Sequence, residues 1–192
     1  MIRHLLAATA LVAATSALAQ ETYTIDPVHS QPTWEARHIG YGLQRGSFMK
    51  TTGKVMLDRA QKTGTVDVVI DATSIRTYDS RLDAVVKGER FFNVEKYPTI
   101  TFKSSKLAFD GDRVAEVDGE LTMLGVTRPV TLKMEDFHCG EQAFNKKPMC
   151  GGNATVTIKR SDFGMKYGLE IGNPSDDIRI YLPVEAYKDV AG

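Results

Sequence analysis

The sequence lacks an excess of charge of either sign, and this absence narrows the classes of partner. Its 192 residues include 24 basic and 24 acidic side chains, and the first 19 residues contribute Arg3 alone to that count, which leaves 23 basic residues without them. A nucleic-acid-binding protein normally carries a basic patch, and docking onto an anionic membrane needs clustered Lys and Arg. We therefore predict neither nucleic acid nor an anionic membrane surface as a partner.

Long apolar runs are missing after residue 19. Before it, residues 5–19 form an apolar, Ala-rich stretch that follows Arg3 and ends in Ala17-Leu18-Ala19. The stretch is short of the roughly 20 apolar residues that cross a bilayer, and its basic start and small-x-small end are typical of a cleaved secretory signal. The prediction is a signal peptide at residues 1–19, no transmembrane segment, and one exported domain at residues 20–192.

Cysteine is scarce, with Cys139 and Cys150 as the two copies. In an oxidising compartment an even number of cysteines favours a bridge. The ten residues between them include Gly140, Asn145 and Pro148, which indicate a loop joining two strands. We predict a structural disulfide that staples a hairpin and adds about 2–4 kcal/mol to stability. A redox pair is disfavoured because that function uses a tight C-x-x-C spacing.

Catalytic and metal-binding motifs are also absent: there is no G-x-S-x-G, no H-E-x-x-H and no P-loop. His29 and His38 fall nine residues apart on one predicted strand, so they point to opposite faces about 30 Å apart and cannot share a metal. His38 shares the parity of Trp34 and Ala36, which predicts an interior position, as a hydrogen-bonded core histidine or as a ligand contact. No catalytic residue, metal or cofactor is predicted.

What the sequence has in abundance is alternation of apolar and polar residues with a period of two, the pattern of half-buried strands. Residues 65–72 place Val66, Val68, Ile70 and Ala72 on one face. The other predicted strands cover residues 23–26, 29–39, 43–58, 98–109, 116–123, 130–135, 154–159 and 177–185. About eight antiparallel strands with one apolar face each must pack as a sandwich or close into a barrel, and closure also removes exposed edges.

Two segments depart from the strand pattern. Residues 79–92 place their apolar side chains at helical spacing, with Asp79 or Ser80 as the N-cap and Gly88 as the point where the helix splits. Residues 164–177 are rich in glycine and predict a long loop at the rim, or a lid. The fold class is therefore all-β with a short helical segment near residues 79–92.

Several longer motifs point to one family. They are YTIDPVHS at residues 23–30, RHIG at 37–40, RGSF at 45–48, FFNVEKYPTITF at 91–102, GELTMLGVTRPV at 119–130 and RSDFG at 160–164. By these motifs the chain is similar to the YceI family of bacterial periplasmic proteins. The resemblance implies an eight-stranded, antiparallel, lipocalin-like barrel in the periplasm. It also implies that a polyisoprenoid or similar long-chain amphiphile binds in the interior.

The chain departs from the family pattern at three places. Pro32 stands where an aliphatic residue is usual, Trp34 stands where phenylalanine is usual, and the loop between Cys139 and Cys150 is not a general family feature. Because Trp34 is larger than phenylalanine, it narrows the expected cavity and shifts the expected ligand preference.

Candidate ligand-binding residues follow from the inward parity of the strands and from the aromatic residues near their ends. Each buried methylene of a ligand adds about 0.8 kcal/mol, so a dry apolar tunnel is sufficient for affinity. The candidates are Trp34, His38, Phe48, Ile70, Phe91, Phe92, Ile100, Phe102, Leu121, Leu132, Phe163, Met165 and Leu182. Ordinary core packing explains the same pattern, because parity does not distinguish a lined tunnel from a filled core.

Three functions fit this sequence. The favoured one is a non-enzymatic carrier or reservoir for an isoprenoid lipid, including a quinone or its precursor. The second is a stress-linked structural or interaction protein whose barrel is filled by its own side chains. The third is an enzyme acting on a bound lipid, for which His38 is the one visible candidate. The oligomeric state stays open, with a homodimer among the alternatives.

Overall fold

The wall of the molecule is one antiparallel sheet that closes on itself. The structure is a computed structural model that describes residues 20–190. Its strands are β1 Glu21–Ile25, β2 Thr33–Arg37, β3 Leu43–Phe48, β4 Thr51–Asp58, β5 Thr63–Asp71, β6 Ile75–Arg76, β7 Thr99–Asp110, β8 Arg113–Met123, β9 Val126–Glu141, β10 Pro148–Lys159 and β11 Asp177–Lys188. Pairing of β1 with β11 closes the sheet into a barrel.

The eleven strand segments make eight wall strands because three wall strands are interrupted. β1 and β2 occupy one position: both pair with β11, while β1 pairs with β4 and β2 pairs with β3. β3 and β4 likewise form one wall strand with a break at residues 49–50, and β6 continues β5 after the 3₁₀ turn Ala72–Ser74. The predicted eight-stranded antiparallel barrel is confirmed.

A serine hydroxyl stabilises each of two breaks. In the first break, Ser30 accepts a hydrogen bond from the backbone N–H of Glu185 at 2.9 Å and donates to its carbonyl at 3.1 Å. In the second, Ser74 Oγ accepts from the N–H groups of Met49 and Lys50, both at 3.1 Å. Both serines are buried. The hydroxyls thus satisfy backbone groups that would otherwise be unpaired where a wall strand leaves the ladder.

The two breaks correct two strand predictions. Residues 29–39 do not form one strand, because β2 begins at Thr33 and ends at Arg37, and His29 lies in the turn before it. Residues 43–58 form two strands rather than one. In both places a serine hydroxyl bonds to backbone groups far away along the chain in place of the regular ladder partner, so local alternation does not reveal the interruption.

One α-helix covers one end of the barrel. Helix α1 spans Ser80–Lys87, and the Asp79 carboxylate caps it by accepting a hydrogen bond from the N–H of Arg81 at 2.8 Å. Val86 is the buried residue of the helix and packs toward the barrel interior. The predicted helical segment near residues 79–92 is confirmed in position, and it ends earlier because Gly88 takes an extended conformation.

The two ends of the barrel differ in their connections. At the end that we call the disulfide end, short turns join β4 to β5, β7 to β8 and β9 to β10, and the predicted Cys139–Cys150 disulfide links opposite residues of β9 and β10. At the other, which we call the helix end, α1 and the long connection between β10 and β11 meet.

Two clusters of buried side chains fill these ends. The cluster at the disulfide end comprises Tyr23, Ile25, Leu57, Phe102, Leu107, Val114, Val117, Cys150 and Ala186. The cluster at the helix end comprises Phe48, Ile70, Ala72, Ile75, Val86, Ile100, Met123, Ile158 and Phe163. Val68, Leu121 and Val130 pack against both clusters, so the apolar interior is continuous from end to end. Within residues 20–190, no helix has the length and apolar character that a bilayer crossing requires.

Candidate functional site in the barrel interior

The middle of the barrel is lined by apolar side chains that remain only half-buried. Inward-facing residues of six different strands share this property: Val55, Val66, Val68, Leu121, Val130, Leu132, Val156, Ile180 and Leu182. In a close-packed core such aliphatic side chains are almost fully buried. Their partial burial in a closed barrel means that the protein's own side chains do not fill the interior.

The unfilled space is a cavity that reaches from one cluster to the other. Its volume is about 220 Å³, whereas a cavity that holds one water molecule needs only about 10–15 Å³. Its wall is almost entirely aliphatic and aromatic, with few polar side chains among the lining residues. Since apolar surface gains free energy when it leaves water, this wall favours an apolar occupant. We call this cavity the tunnel.

Most of the residues singled out from the sequence lie on the wall of the tunnel. These are Trp34, Phe48, Ile70, Phe91, Phe92, Ile100, Phe102, Leu121, Leu132, Met165 and Leu182. At the helix end, the rings of Phe48 and Phe92 meet edge to face with their centroids 5.4 Å apart. That these residues contact a ligand stays a prediction, whereas their position on the tunnel wall is a property of the fold.

Two predicted residues lie elsewhere. Phe163 is buried within the cluster at the helix end but is not on the tunnel wall. His38 is exposed, so the prediction that it faces the interior is wrong. β2 ends at Arg37, and the chain then turns with positive φ at Ile39 and Gly40. Strand parity does not extend past the end of a strand, and the enzyme hypothesis loses the residue that motivated it.

Arg160 is a buried charged residue of the tunnel wall that the analysis of the sequence did not select. It lies on the tunnel wall at the helix end, and only 1% of it is exposed. Its guanidinium donates to the carbonyl oxygens of Ser175 at 3.1 Å, Met165 at 2.9 Å and Pro174 at 2.7 Å. Burial lowers the pKa of this guanidinium, while the charges of Asp176 and Glu170 act in the opposite direction. Its position directly after the strand β10 is the feature of the sequence that could have singled it out.

These bonds fix the long connection between β10 and β11 over the helix end. Asp176 adds to them, because its carboxylate accepts from the N–H of Ser161 at 2.9 Å and from its hydroxyl at 2.8 Å. Burial alone would raise the pKa of Asp176, but the two hydrogen bonds from Ser161, together with the charges of Lys159 and Arg160, outweigh burial and lower it. The predicted rim loop is thus tied to the end of β10 by an arginine and an aspartate.

A second polar group lies on the outer surface, at the break between β1 and β2. His29 Nδ1 is 2.7 Å from a carboxylate oxygen of Asp26 and 3.8 Å from one of Glu185. The hydrogen bond to Asp26 raises the pKa of His29. Because His29 lies in a turn rather than on a strand, the geometry that we used to separate it from His38 does not apply. Exposed ion pairs of this kind contribute little to stability.

Comparison with known proteins places the chain in a family. The model of the YceI-like domain matches residues 23–186, which is most of the chain and includes the whole barrel wall except its outermost residues. The chain belongs to the YceI family. A UPF0312 protein of Pseudomonas putida is 34% identical over 94% of this chain and 93% of its own length. A UPF0312 protein of Pseudomonas aeruginosa is 31% identical over 98% of this chain and 100% of its own length.

Solved structures share the YceI barrel. The YCEI protein of Campylobacter jejuni is 26% identical, with a TM-score of 0.65 over 76% of this chain and 85% of that one. BcnA of Burkholderia cenocepacia is 24% identical, with a TM-score of 0.67 over 84% of this chain and 98% of its own. A polyisoprenoid binding domain from Saccharophagus degradans is 15% identical, with a TM-score of 0.63 over 87% and 98%. At identities below 25%, the last two show a common fold.

Proposed function

We propose that this YceI-family protein binds a polyisoprenoid or a similar long-chain amphiphile inside its barrel and acts as a carrier rather than an enzyme. The observation that carries the proposal is the hollow, apolar interior with half-buried aliphatic walls. The Saccharophagus degradans domain of the same fold is described as binding a polyisoprenoid, which supports the same class of ligand here. The filled-barrel hypothesis expects an interior packed by side chains, which is not the arrangement seen.

The dimensions of the barrel suit a long, slender molecule. β7 has 12 residues, so it extends about 40 Å, or about 30 Å along the axis of a barrel with tilted strands. A chain of isoprene units could bury several methylene and methyl groups against each level of the wall, at about 0.8 kcal/mol per carbon before ordering costs. One chain lines the tunnel by itself, so binding of this kind needs no second copy of the protein.

We also propose that the protein works in the periplasm. The Cys139–Cys150 disulfide supports this location, because such bonds persist mainly in oxidising compartments. The predicted signal peptide at residues 1–19 lies outside the described residues. A long apolar chain is nearly insoluble in water, and a barrel that encloses it would let it cross an aqueous space.

The proposal is tested by blocking the tunnel at its middle. Val68 faces the tunnel, while its neighbour Val69 is 37% exposed on the outer surface. We expect Val68→Phe to raise the Kd for a C20 prenyl alcohol about 10-fold or more, because the added ring takes space that the ligand needs. Val69→Phe is the matched control and should bind as the wild type does. Displacement of N-phenyl-1-naphthylamine, a fluorescent apolar probe, measures both.

A second pair of variants keeps the test valid if a variant of the first pair fails to fold. Val156 faces the tunnel from β10, and Thr155 beside it is not on the tunnel wall. Val156→Phe should weaken binding as Val68→Phe does, and Thr155→Phe should not. Wild-type protein that takes up neither the alcohol nor the probe, or inward variants that fold and bind as well as their outward controls, would overturn the proposal.

A further inference from the structure

Large apolar side chains that remain exposed gather at the helix end. Those in the connections and strand starts there are Ile39, Tyr41, Leu43, Tyr78, Val85, Tyr167 and Ile171. Among the described residues, fewer lie at the disulfide end, namely Val28, Met56, Phe144 and Val190. Exposed apolar residues that occur singly need no explanation, whereas a group of them around one end of a molecule marks a surface that binds a partner. The helix end is therefore the stronger candidate for such a surface.

Hydrogen bonds join the segments that carry these residues. The N–H of Ile39, in the turn between β2 and β3, donates to the carbonyl of Gly172 at 2.8 Å, so this turn is attached to the long connection between β10 and β11. The guanidinium of Arg90 donates to the hydroxyl of Tyr167 at 3.2 Å, which attaches the segment after α1 to the same connection. We call residues 37–43, 78–97 and 164–175 the rim. The rim also contributes to the tunnel wall, so a surface bound to it would lie next to the tunnel.

Three cations of the rim are placed beside tyrosines. Arg37 donates to the backbone carbonyl of Tyr41 at 2.7 Å. The ammonium of Lys96 lies 5.3 Å from the centre of the Tyr97 ring, and Arg90 stacks on a tyrosine ring in the same way. Within residues 20–190, none of these three cations has a carboxylate oxygen within 4.0 Å. Their charge is therefore available to an anionic partner.

We infer that the rim docks on the surface of a bilayer that contains anionic phospholipids, with the rings of Tyr41 and Tyr78 entering the head-group layer. These rings are 82% and 90% exposed, and neither lines the tunnel. Tyrosine is enriched where a membrane meets water, because its ring is apolar and its hydroxyl is polar, and nearby lysine and arginine are attracted to lipid phosphates. A bilayer accommodates scattered protruding rings, whereas a protein partner needs a surface of matching shape.

The inference rests on the proposed function, because a carrier of an apolar lipid must receive it from a membrane and return it to one. Docking through the rim would place the partly exposed end of the tunnel against the bilayer, so the lipid would avoid the water between them. The equal numbers of acidic and basic residues predicted no such partner, but a total does not report how charge is distributed over the surface.

The test is co-sedimentation with vesicles made of equal amounts of phosphatidylcholine and phosphatidylglycerol and free of any prenyl lipid, so that docking is measured apart from ligand binding. We expect the wild type to bind. Tyr41→Ser combined with Tyr78→Ser should lower the partition constant about 10-fold, because two rings no longer enter the bilayer. Phe144→Ser is the matched control: its ring is 93% exposed at the disulfide end, and its loss should leave binding unchanged.

A second pair of variants tests the charge. Lys96→Gln should weaken binding to the mixed vesicles about 5-fold, since a cation near an anionic surface is attracted to it. Lys146→Gln removes an exposed cation at the disulfide end and should have no effect. Neither change should alter binding to vesicles of phosphatidylcholine alone, which carry no net charge.

The outcomes separate docking from ligand binding. A wild type that does not bind the mixed vesicles overturns this inference alone, and so does Phe144→Ser if it weakens binding as much as the two tyrosine changes, because the protein would then dock by the disulfide end. Displacement of N-phenyl-1-naphthylamine by the C20 prenyl alcohol, measured without vesicles, should be the same in the wild type and the tyrosine variant. A wild type that shows no such displacement contradicts the proposed function instead.

Discussion

At the disulfide end the tunnel stops at strand residues that are almost fully buried, whereas at the helix end it stops at rings and a loop that remain partly exposed. Tyr23, Leu57 and Val114 are 3%, 1% and 4% exposed, whereas Phe91 and Phe92 on the tunnel wall at the helix end are half-buried, and Tyr167, which packs on Phe91, is 46% exposed. The residues of the first group belong to the sheet itself, so that end opens only when ladder hydrogen bonds break. The second end is closed by segments outside the sheet, which can move while the sheet stays intact.

Arg160 is the residue that we expect to matter most for this contrast. Arg160→Met keeps a long side chain but leaves one buried and two partly buried carbonyl groups without this donor, and hydrogen bonds from charged groups are worth about 1.5–3 kcal/mol each. We expect the free energy of unfolding in urea to fall by about 4 kcal/mol, allowing for partial access of water. Amide exchange should accelerate at residues 164–176 and stay slow in β7 and β8.

A matched control comes from the opposite end of the barrel. Arg113 lies beside the turn between β7 and β8, is 62% exposed and pairs with Asp110 at 3.5 Å. Arg113→Met should change stability by less than about 0.5 kcal/mol. If Arg160→Met cost no more than Arg113→Met, the buried guanidinium would not be what holds the helix end closed.

The disulfide offers the second test, at the rigid end. Replacing both Cys139 and Cys150 by alanine should lower the free energy of unfolding by about 3 kcal/mol, because the unfolded chain regains the entropy of a loop of about 11 residues. We expect the Kd of the C20 prenyl alcohol to stay within about 2-fold of the wild type, since the ladder still closes this end. Wild-type protein in reductant should lose the same stability. A large loss of binding would mean that the disulfide is also needed to keep the ligand enclosed.

Much of this architecture could be predicted from the sequence because strand parity is a local property. The alternation in residues 65–72 and 154–159 fixed which side chains of β5 and β10 face inward, and Val68, Ile70 and Val156 do line the tunnel. Parity says which way a side chain points, but the width of the barrel decides whether the space between facing side chains is filled. Whether the interior is hollow could therefore be seen only in the structure.

The errors occur where the chain leaves a strand. His38 follows the last residue of β2, so strand alternation predicted the wrong face for it. Thr51 follows the break after β3, so alternation gave no reason to select it. Each break is stabilised by a serine far away along the chain from its backbone partners, with Ser30 bonding to Glu185 and Ser74 to Met49. Such long-range substitution of a side chain for a ladder partner leaves no periodic signal.

Exchange of the ligand gives the last and smallest expected effect, and it asks which end opens. At the helix end Arg90 lies over the Tyr167 ring at 4.7 Å, and Phe91 meets the same ring edge to face at 5.7 Å. These contacts hold the segment after α1 against the long connection between β10 and β11. Tyr167→Ala removes both contacts and should speed release of N-phenyl-1-naphthylamine into lipid vesicles about 5-fold in stopped-flow measurements. Tyr167→Phe keeps the ring and should release the probe at nearly the wild-type rate. If release instead accelerated only when Cys139 and Cys150 are replaced, the ligand would leave through the disulfide end, and partial exposure would be a poor guide to which end opens.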